Sequence, residues 1–498
     1  MGKSSIFGEG RCSPGKKKCG QGQNGDIWSK EALFQFPHVG FFPKTALLWR
    51  LKHVILPETS FFHHTNSPAM KYQPLSSDLY RHNRKRFTAQ MKAGTVAIFN
   101  SSDQAPRSGD QYHSFRQNAG LFYLTGIDQE ETMLLLFPGC PREEHEEVLV
   151  IRRTNEHLAV WEGHKYTKEE ARAASGIQKV YFLDEADQMI NELIILSQGI
   201  YLNLNENDRF LSPVEYRDLR YARQIQQRYP AHTIHRAQPI LKRLQTVKSK
   251  WEVEASQTAI DITEKAFKRV MKFVKPGVWE HEVEAEIIHE FIRNRATGHG
   301  YTPIIGSGAN ACVLHYIENN KQCHDGDVLL MDFGAEYANY NADLTRSIPV
   351  NGRFTQRQKA VYNAVLRVIK EAREMLVPGT VFIEYHKEVG KIMESELIGL
   401  GLISHDDVAK QDKDWPAYKK YFMHGTSHHL GLDVHDIMYR YHSFEAGNLF
   451  TCEPGIYIPE EKLGIRIEND ILITENGNID LFKNIPMEAE EIEDWMNG

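Results

Sequence analysis

From residue 70 onward, short apolar runs alternate with longer segments whose apolar residues recur every three or four positions. Val96–Asn100, Thr132–Phe137, Glu147–Arg152 and Gly199–Leu204 read as short buried strands. Thr167–Ala174 and Glu185–Leu196 read as helices between them, and a polar helix-forming run from Leu79 to Met91 opens the segment. Such alternation predicts helices layered on a sheet. The charged stretch Lys242–Lys250 then precedes a long helix carrying Ala255, Ala259, Ile262, Ala266, Val270 and Phe273 on one face and ending at Lys275-Pro276-Gly277. The pattern divides the chain into a first domain over 70–242 and a second over 243–498.

The second domain repeats itself. Pro276-Gly277, between two helical patterns, recurs as Pro378-Gly379, 102 residues later. The run from Gly326 through Asp332 to Gly334 recurs from Gly447 through Glu453 to Gly455, 121 residues later. Each copy is a glycine, five mostly apolar residues, an acid and a closing glycine. The 19-residue difference fits an insertion in the second half, at the polar stretch Ser404–Lys420. Two helix-then-strand halves, each ending a buried strand on a carboxylate, predict pseudo-twofold packing that brings the two acids together.

Composition adds mainly exclusions. At 41% hydrophobic and 25% charged residues, 498 residues have an ordinary globular balance. The net charge of −7 gives no electrostatic footprint for nucleic acid or an anionic membrane. No uninterrupted apolar stretch is long enough for a transmembrane helix. Cys12, Cys19, Cys140, Cys312, Cys323 and Cys452 have no metal-ligand spacing and read as reduced thiols. Residues 1–69 hold nine Lys/Arg against four Asp/Glu, leaving −12 for residues 70–498. This segment lacks a signal peptide's basic start and apolar core and matches a transit peptide poorly. It is left unassigned, as a poorly ordered extension, and the absence of targeting signals sets a cytoplasmic expectation.

Three segments carry chemistry. In MDFGAEYANYNADLTR (331–346), Asp332 ends an apolar run and Asp343 follows eleven residues later. A turn at Tyr337–Ala338 would oppose them directly, and two carboxylates that close need a cation or a shared proton. HGTSHHLGLDVHD (424–436) opens a cluster of five histidines, His424, His428, His429, His435 and His442, bracketed in its middle by glycines. In CEPGIYIPEEKLGIRIENDILI (452–473), Glu453 ends the second strand. Gly464–Ile473 then alternates as a half-buried strand, with Arg466, Glu468, Asp470 and Leu472 on one face. Four carboxylates, Asp332, Asp343, Glu453 and Glu468, with at least one imidazole, thus converge. Two divalent cations would neutralise them, and the oxygen-rich set suits Mn²⁺ first, with Co²⁺, Zn²⁺ or Fe²⁺ also able to fill it. Such a pair activates water for amide or ester hydrolysis.

These motifs resemble the pita-bread metallopeptidases, and HGTSHHLGLDVHD, CEPGIYIPE and GIRIEND most resemble the Xaa-Pro aminopeptidases (aminopeptidase P). RSGDQYHSFRQNAGLFYLTGIDQEE (107–131) resembles the creatinase-like N-terminal domain of the same enzymes. The resemblance covers about residues 75–495 and leaves 1–69 without a counterpart. It implies an α/β (α+β) chain with a creatinase-like domain followed by a pita-bread catalytic domain. It also implies a ligand set of Asp332, Asp343, His428, Glu453 and Glu468. Asp332 would serve one metal, Asp343 and Glu468 would bridge, His428 and Glu453 would complete the other, and Glu453 would shuttle the proton of the attacking water. His315 would contact the scissile region and His435 would stabilise the tetrahedral intermediate, while His424, Tyr457 and Arg466 would line the site. Asp110 and Trp161 would close over a neighbouring subunit's site in a homo-oligomer, a dimer or tetramer. His429 stands where some relatives carry another aromatic.

The substrates so implied are peptides with proline in second place, whose scissile bond is a tertiary amide with a fixed φ. A prolidase, restricted to Xaa-Pro dipeptides, shares the plan and all five ligands, but Ser427 stands where prolidases tend to have glycine. A non-catalytic pita-bread binding module is disfavoured because all five ligand positions are intact.

Overall fold

The computed structural model describes residues 71–498 apart from Asn205, Asp208 and Phe210. The expectations for residues 1–69, including Cys12 and Cys19, lie outside the described residues. Among the described residues no helix is long and apolar enough to cross a membrane. Cys140, Cys323 and Cys452 are buried and Cys312 half-buried, all four as free thiols.

The four expected strands of the first domain form, at Thr95–Asn100, Met133–Leu136, Glu147–Ile151 and Gly199–Leu202. They sit in a six-stranded mixed sheet ordered 179–182, 147–151, 133–136, 95–100, 199–202, 233–236. The two outermost strands, Lys179–Phe182 and Thr233–Arg236, escape the sequence pattern because each is a four-residue edge whose residues are mostly half-exposed or exposed. Side-chain alternation splits the sheet's residues between two cores. Val96 and Ile98 pack with Met189, Leu193 and Ile225 of the helices on one face. Ala97 and Phe99 pack on the other with Phe87, Leu121 and Leu241, and that core continues into the second domain through Ala255, Tyr340 and Leu432.

The long helix runs from Lys250 to Phe273 and buries Ala255, Ala259, Ile262, Ala266 and Val270. Its first turn is closed by Glu252, whose carboxylate accepts from the Ser249 amide at 2.7 Å. The duplication is visible in the backbone. Gly277 and Gly379, in the two inter-helix turns, have φ of 98° and 93°, and Gly326 and Gly447, before the acid-ending strands, have 84° and 90°. A side chain is strained in that left-handed region, so both halves need glycine at the same places. The strands Val328–Asp332 and Leu449–Cys452 carry the two acids at their ends. The halves meet where Glu468 N–H donates to the Thr345 carbonyl at 3.1 Å. Short helices over His405–Ala409 and Ala417–Lys420 occupy the expected insertion.

Two local expectations need correction. Asp332 does not oppose Asp343 directly: its partner is Thr345. The turn falls at Ala338–Asn339, both with positive φ (51° and 64°), which closes Tyr337 against Tyr340. Moving the turn by one residue shifts each partner by two, so the acids become diagonal neighbours that still share a face. Gly464–Ile473 is not one half-buried strand either. It breaks into Leu463–Arg466 and Asn469–Thr474, and Arg466, Glu468 and Asp470 are buried rather than facing water.

Gly334 lies between the two acids and permits this packing. A Cβ there would sit 1.7 Å from the Ala342 carbonyl oxygen, too close for any rearrangement short of moving the backbone next to Asp343. Gly334→Ala is expected to cost roughly 1–3 kcal/mol, read as a lower urea midpoint. A midpoint equal to that of the unaltered protein would refute this account of the hairpin.

Candidate metal centre

Two strand ends, a hairpin, a loop and a strand break deliver the candidate ligands to one cleft of about 550 Å³. Asp332 ends its strand there, and Asp343 lies just beyond the hairpin. The loop after Met423 carries His428. The second half contributes Glu453 after its strand, and Glu468 at the break between Arg466 and Asn469. These five residues line the cleft together with His315, His424, His435 and Arg466. Ile304, Leu314, Ile317 and Val434 add apolar wall.

Hydrogen bonds fix how the groups point. His428 Nδ1 donates to the His429 carbonyl at 3.0 Å. That leaves the Nε2 lone pair facing Asp343 Oδ2 and Glu453 Oε1, each 3.5 Å away. Glu468 accepts from the Thr345 hydroxyl at 2.6 Å. The Tyr301 hydroxyl donates to Asp332 at 2.5 Å and also touches Asp343. Arg466 pairs with the other oxygen of Asp332, donates to Thr345 at 3.1 Å and to the Tyr457 hydroxyl at 2.8 Å. Tyr457 reaches His424 Nε2 at 2.7 Å, while His424 Nδ1 donates to the Gly425 carbonyl at 2.7 Å. Tyr457 therefore sits behind the cleft and acts through Arg466 and His424. Asp343 N–H donates to Asp470 at 3.1 Å.

Burial dominates the electrostatics. It raises the pKa of Asp343, Glu468 and Asp470, and the neighbouring carboxylates push each in the same direction. Glu453 is pushed up to about 7 by burial, with Asp343 adding to the rise and His428 opposing it. Burial opposes charge on His428, but Asp343 and Glu453 outweigh it and its pKa is raised. His424 is pushed down to about 3 by burial and by Arg466. His435, on the exposed wall with its ring 4.4 Å from that of His428, is lowered by desolvation and then by His428. A basin of buried acids around one imidazole nitrogen calls for a cation. Asp343, His428 and Glu468 present ligand atoms all within 4.8 Å of one another, so the residues fit a metal. Both oxygens of Asp332 are engaged by Tyr301 and Arg466.

The remaining histidines lie apart. His429 packs its ring 4.1 Å from Phe450, and His442 stacks on Tyr439. Asp110, at the turn of a small hairpin, and Trp161, 78% exposed on the helix Glu156–Glu162, are both outside the cleft. Sequence reasoning missed Tyr301 and Thr345. Tyr301 follows His299-Gly300 with no periodicity to mark it, and its partner Asp343 is 42 residues away.

Two joined domains with buried acids from both halves of a duplicated fold define a pita-bread metallopeptidase. The sequence profile of metallopeptidase family M24 matches residues 254–475, and that of the aminopeptidase P N-terminal domain matches residues 80–201. The Xaa-Pro aminopeptidase of Escherichia coli is 34% identical, over 85% of this chain and 98% of its own length. The human Xaa-Pro aminopeptidase 3 is 28% identical, over 81% and 82%. The solved aminopeptidase PepP of Pseudomonas aeruginosa superposes with a TM-score of 0.78 at 31% identity, covering 85% of this chain and 98% of that one. The chain belongs to the Xaa-Pro aminopeptidase family and is a peptidase.

The raised carboxyl pKa values have a stability consequence in metal-free protein. An acid whose pKa rises on folding stabilises most below its unfolded pKa, and that contribution is lost as pH rises through the folded value. For Glu453 the loss spans 4.5 to about 7. The thermal midpoint of the metal-free protein is expected to fall between about pH 5 and about pH 8, with a shallower fall in Glu453→Gln. An equal slope in the two proteins would contradict the shift.

Proposed function

We propose that this peptidase uses two divalent cations to hydrolyse the bond between an N-terminal residue and a following proline. The observation that carries the reading is the cluster of Asp343, His428 and Glu468 within 4.8 Å, in a cleft that Asp332 and Glu453 also line. Asp332 would hold one cation, His428 and Glu453 the other, with Asp343 and Glu468 between them. Four carboxylates and one imidazole favour Mn²⁺, and Co²⁺, Zn²⁺ and Fe²⁺ also suit them. A similar Escherichia coli aminopeptidase P is described as zinc-substituted and in complex with product. When bound, the cations would polarise the scissile carbonyl and lower the pKa of water.

The protein's own groups would do the rest. Glu453 takes a proton from the attacking water and returns it to the departing proline nitrogen, which cannot leave without one. His435, neutral because its pKa is depressed, donates to the oxygen of the tetrahedral intermediate. His315, in the same cleft, would contact the scissile region. Ile304, Leu314, Ile317 and Val434 offer apolar surface suited to a proline ring. Arg466, Tyr457 and His424 form a linked row that keeps Asp332 oriented. Asp110 and Trp161, exposed on this chain, would act on a neighbouring subunit's cleft in a dimer or tetramer.

The test is a mass-spectrometric digest by Mn²⁺-loaded protein of an Xaa-Pro dipeptide, an Xaa-Pro-Yaa-Zaa peptide and its Xaa-Ala counterpart. Release of only the first residue from the longer proline peptide is expected. Asp343→Ala should reduce the rate by more than about 100-fold, beyond what loss of a supporting hydrogen bond costs. It should also lower the bound metal measured by mass spectrometry. Cleavage confined to the dipeptide would indicate a prolidase instead, and no cleavage with any of the four ions would remove the reading.

A further inference from the structure

We infer that Arg116, a residue of the first domain, is a positioning residue for His435. The inference rests on the role proposed above for His435. Among the described residues nothing hydrogen-bonds to the His435 imidazole; its ring meets only that of His428. Its placement is therefore set by the backbone of the segment between His428 and His435.

That segment is held from three sides. Asn341 in the hairpin donates twice to the Gly431 carbonyl, from its amide N–H and from Nδ2, each at 2.9 Å, and Nδ2 also donates to the Leu432 carbonyl at 3.0 Å. Lys248, from the interdomain connection, pairs with Asp436 at 2.7 Å, both side chains 2% exposed. Arg116 supplies the third side. Its Nη2 donates to the Leu432 carbonyl and its Nη1 to Asp433 at 3.1 Å. Its Nε donates to Glu336 at 2.7 Å, on the strand that pairs with Asn341.

One guanidinium thus ties the histidine-bearing loop to the hairpin that leads to Asp343. It does so from a residue more than 200 positions earlier in the chain. Of the three holds it is the one made by the first domain. A planar fork with donors on three nitrogens can satisfy all three acceptors together, and a lysine cannot. Asp433 is two residues from His435, so freeing this end of the loop moves the imidazole, with Val434 beside it, relative to the reacting carbonyl, while Ile304, Leu314 and Ile317, on other segments, keep the rest of the apolar wall in place. The loss should fall on kcat rather than on KM.

The experiment compares steady-state kinetics of Mn²⁺-loaded Arg116→Ala, Arg116→Lys, Asp433→Asn, His435→Ala and the Arg116→Ala/His435→Ala double variant on the Xaa-Pro-Yaa-Zaa peptide. Arg116→Ala is expected to lower kcat roughly 10- to 100-fold with KM within about threefold. Arg116→Lys should recover only part of that. Asp433→Asn should lower kcat in the same direction, and it carries the test if Arg116→Ala fails to fold. In the His435→Ala background the further loss on removing Arg116 should shrink to less than about twofold, the signature of two residues acting as one. An impaired His435→Ala beside a fully active Arg116→Ala would overturn this inference alone. So would a loss from Arg116→Ala that is equal in both backgrounds. A fully active His435→Ala would overturn both it and the role proposed for that histidine.

Discussion

Everything in the second domain answers to one constraint: several carboxylates are held together out of water. Asp332, Asp343, Glu468 and Asp470 are buried, and Glu453 is only partly exposed beside them. Like charges that close repel strongly in a low-dielectric interior. The chain answers with fixed donors: Tyr301 shared by Asp332 and Asp343, Arg466 on the other oxygen of Asp332, Thr345 on Glu468, and the Asp343 amide on Asp470. Behind them Arg346 is fully buried, and among the described residues no carboxylate pairs with it. It donates instead to the carbonyls of Thr345, Glu468 and Pro486 and to the Asn469 side chain, which pins the backbone on both sides of Glu468. The acids remain short of neutralisation, and a basin of that kind is what a divalent cation stabilises.

The duplication explains how such a basin can be built. A single strand can end on one buried acid, but a second must come from elsewhere. Two copies of the same helix-turn-strand unit, each with glycines in the same left-handed positions, present their acid-bearing ends to a common cleft. The hairpin and the strand break at Ile467–Glu468 then supply Asp343 and Glu468. The first domain joins the second through a shared core that includes Tyr340 and Leu432, so the catalytic side is not closed off from it.

What was legible in the sequence followed from periodicity and from the chemistry of buried charge. Strands with continuous apolar runs were readable, because a residue buried on both faces leaves no polar gap. The edge strands at 179–182 and 233–236 were not, since half-exposed residues dilute the pattern. The four candidate acids were readable because buried carboxylates are costly without a cation; the choice of His428 among five histidines came from the family resemblance. Their geometry was less so. The register of Asp332 depends on which two residues of the hairpin accept positive φ, and Ala338 gives no such signal. Tyr301 and Thr345 were invisible for another reason: their acid partners lie 42 and 123 residues away, and no local pattern records a contact of that span. Asp110 and Trp161 were noticed by motif, but they stand outside the cleft of their own chain.

The separation of the acids along the chain also bears on when the site comes into being. Asp332 and Glu468 are 136 residues apart. The hydrogen bonds that orient the later acid all come from Thr345 and Arg346 in the first half. Contacts of such long sequence separation form late, because loop closure must precede them. During synthesis the first half emerges with its acids unmatched, and no cation cage can exist until residue 468 has cleared the ribosome and docked. The cluster of Asp343, His428 and Glu468 thus depends on both halves of the second domain having docked.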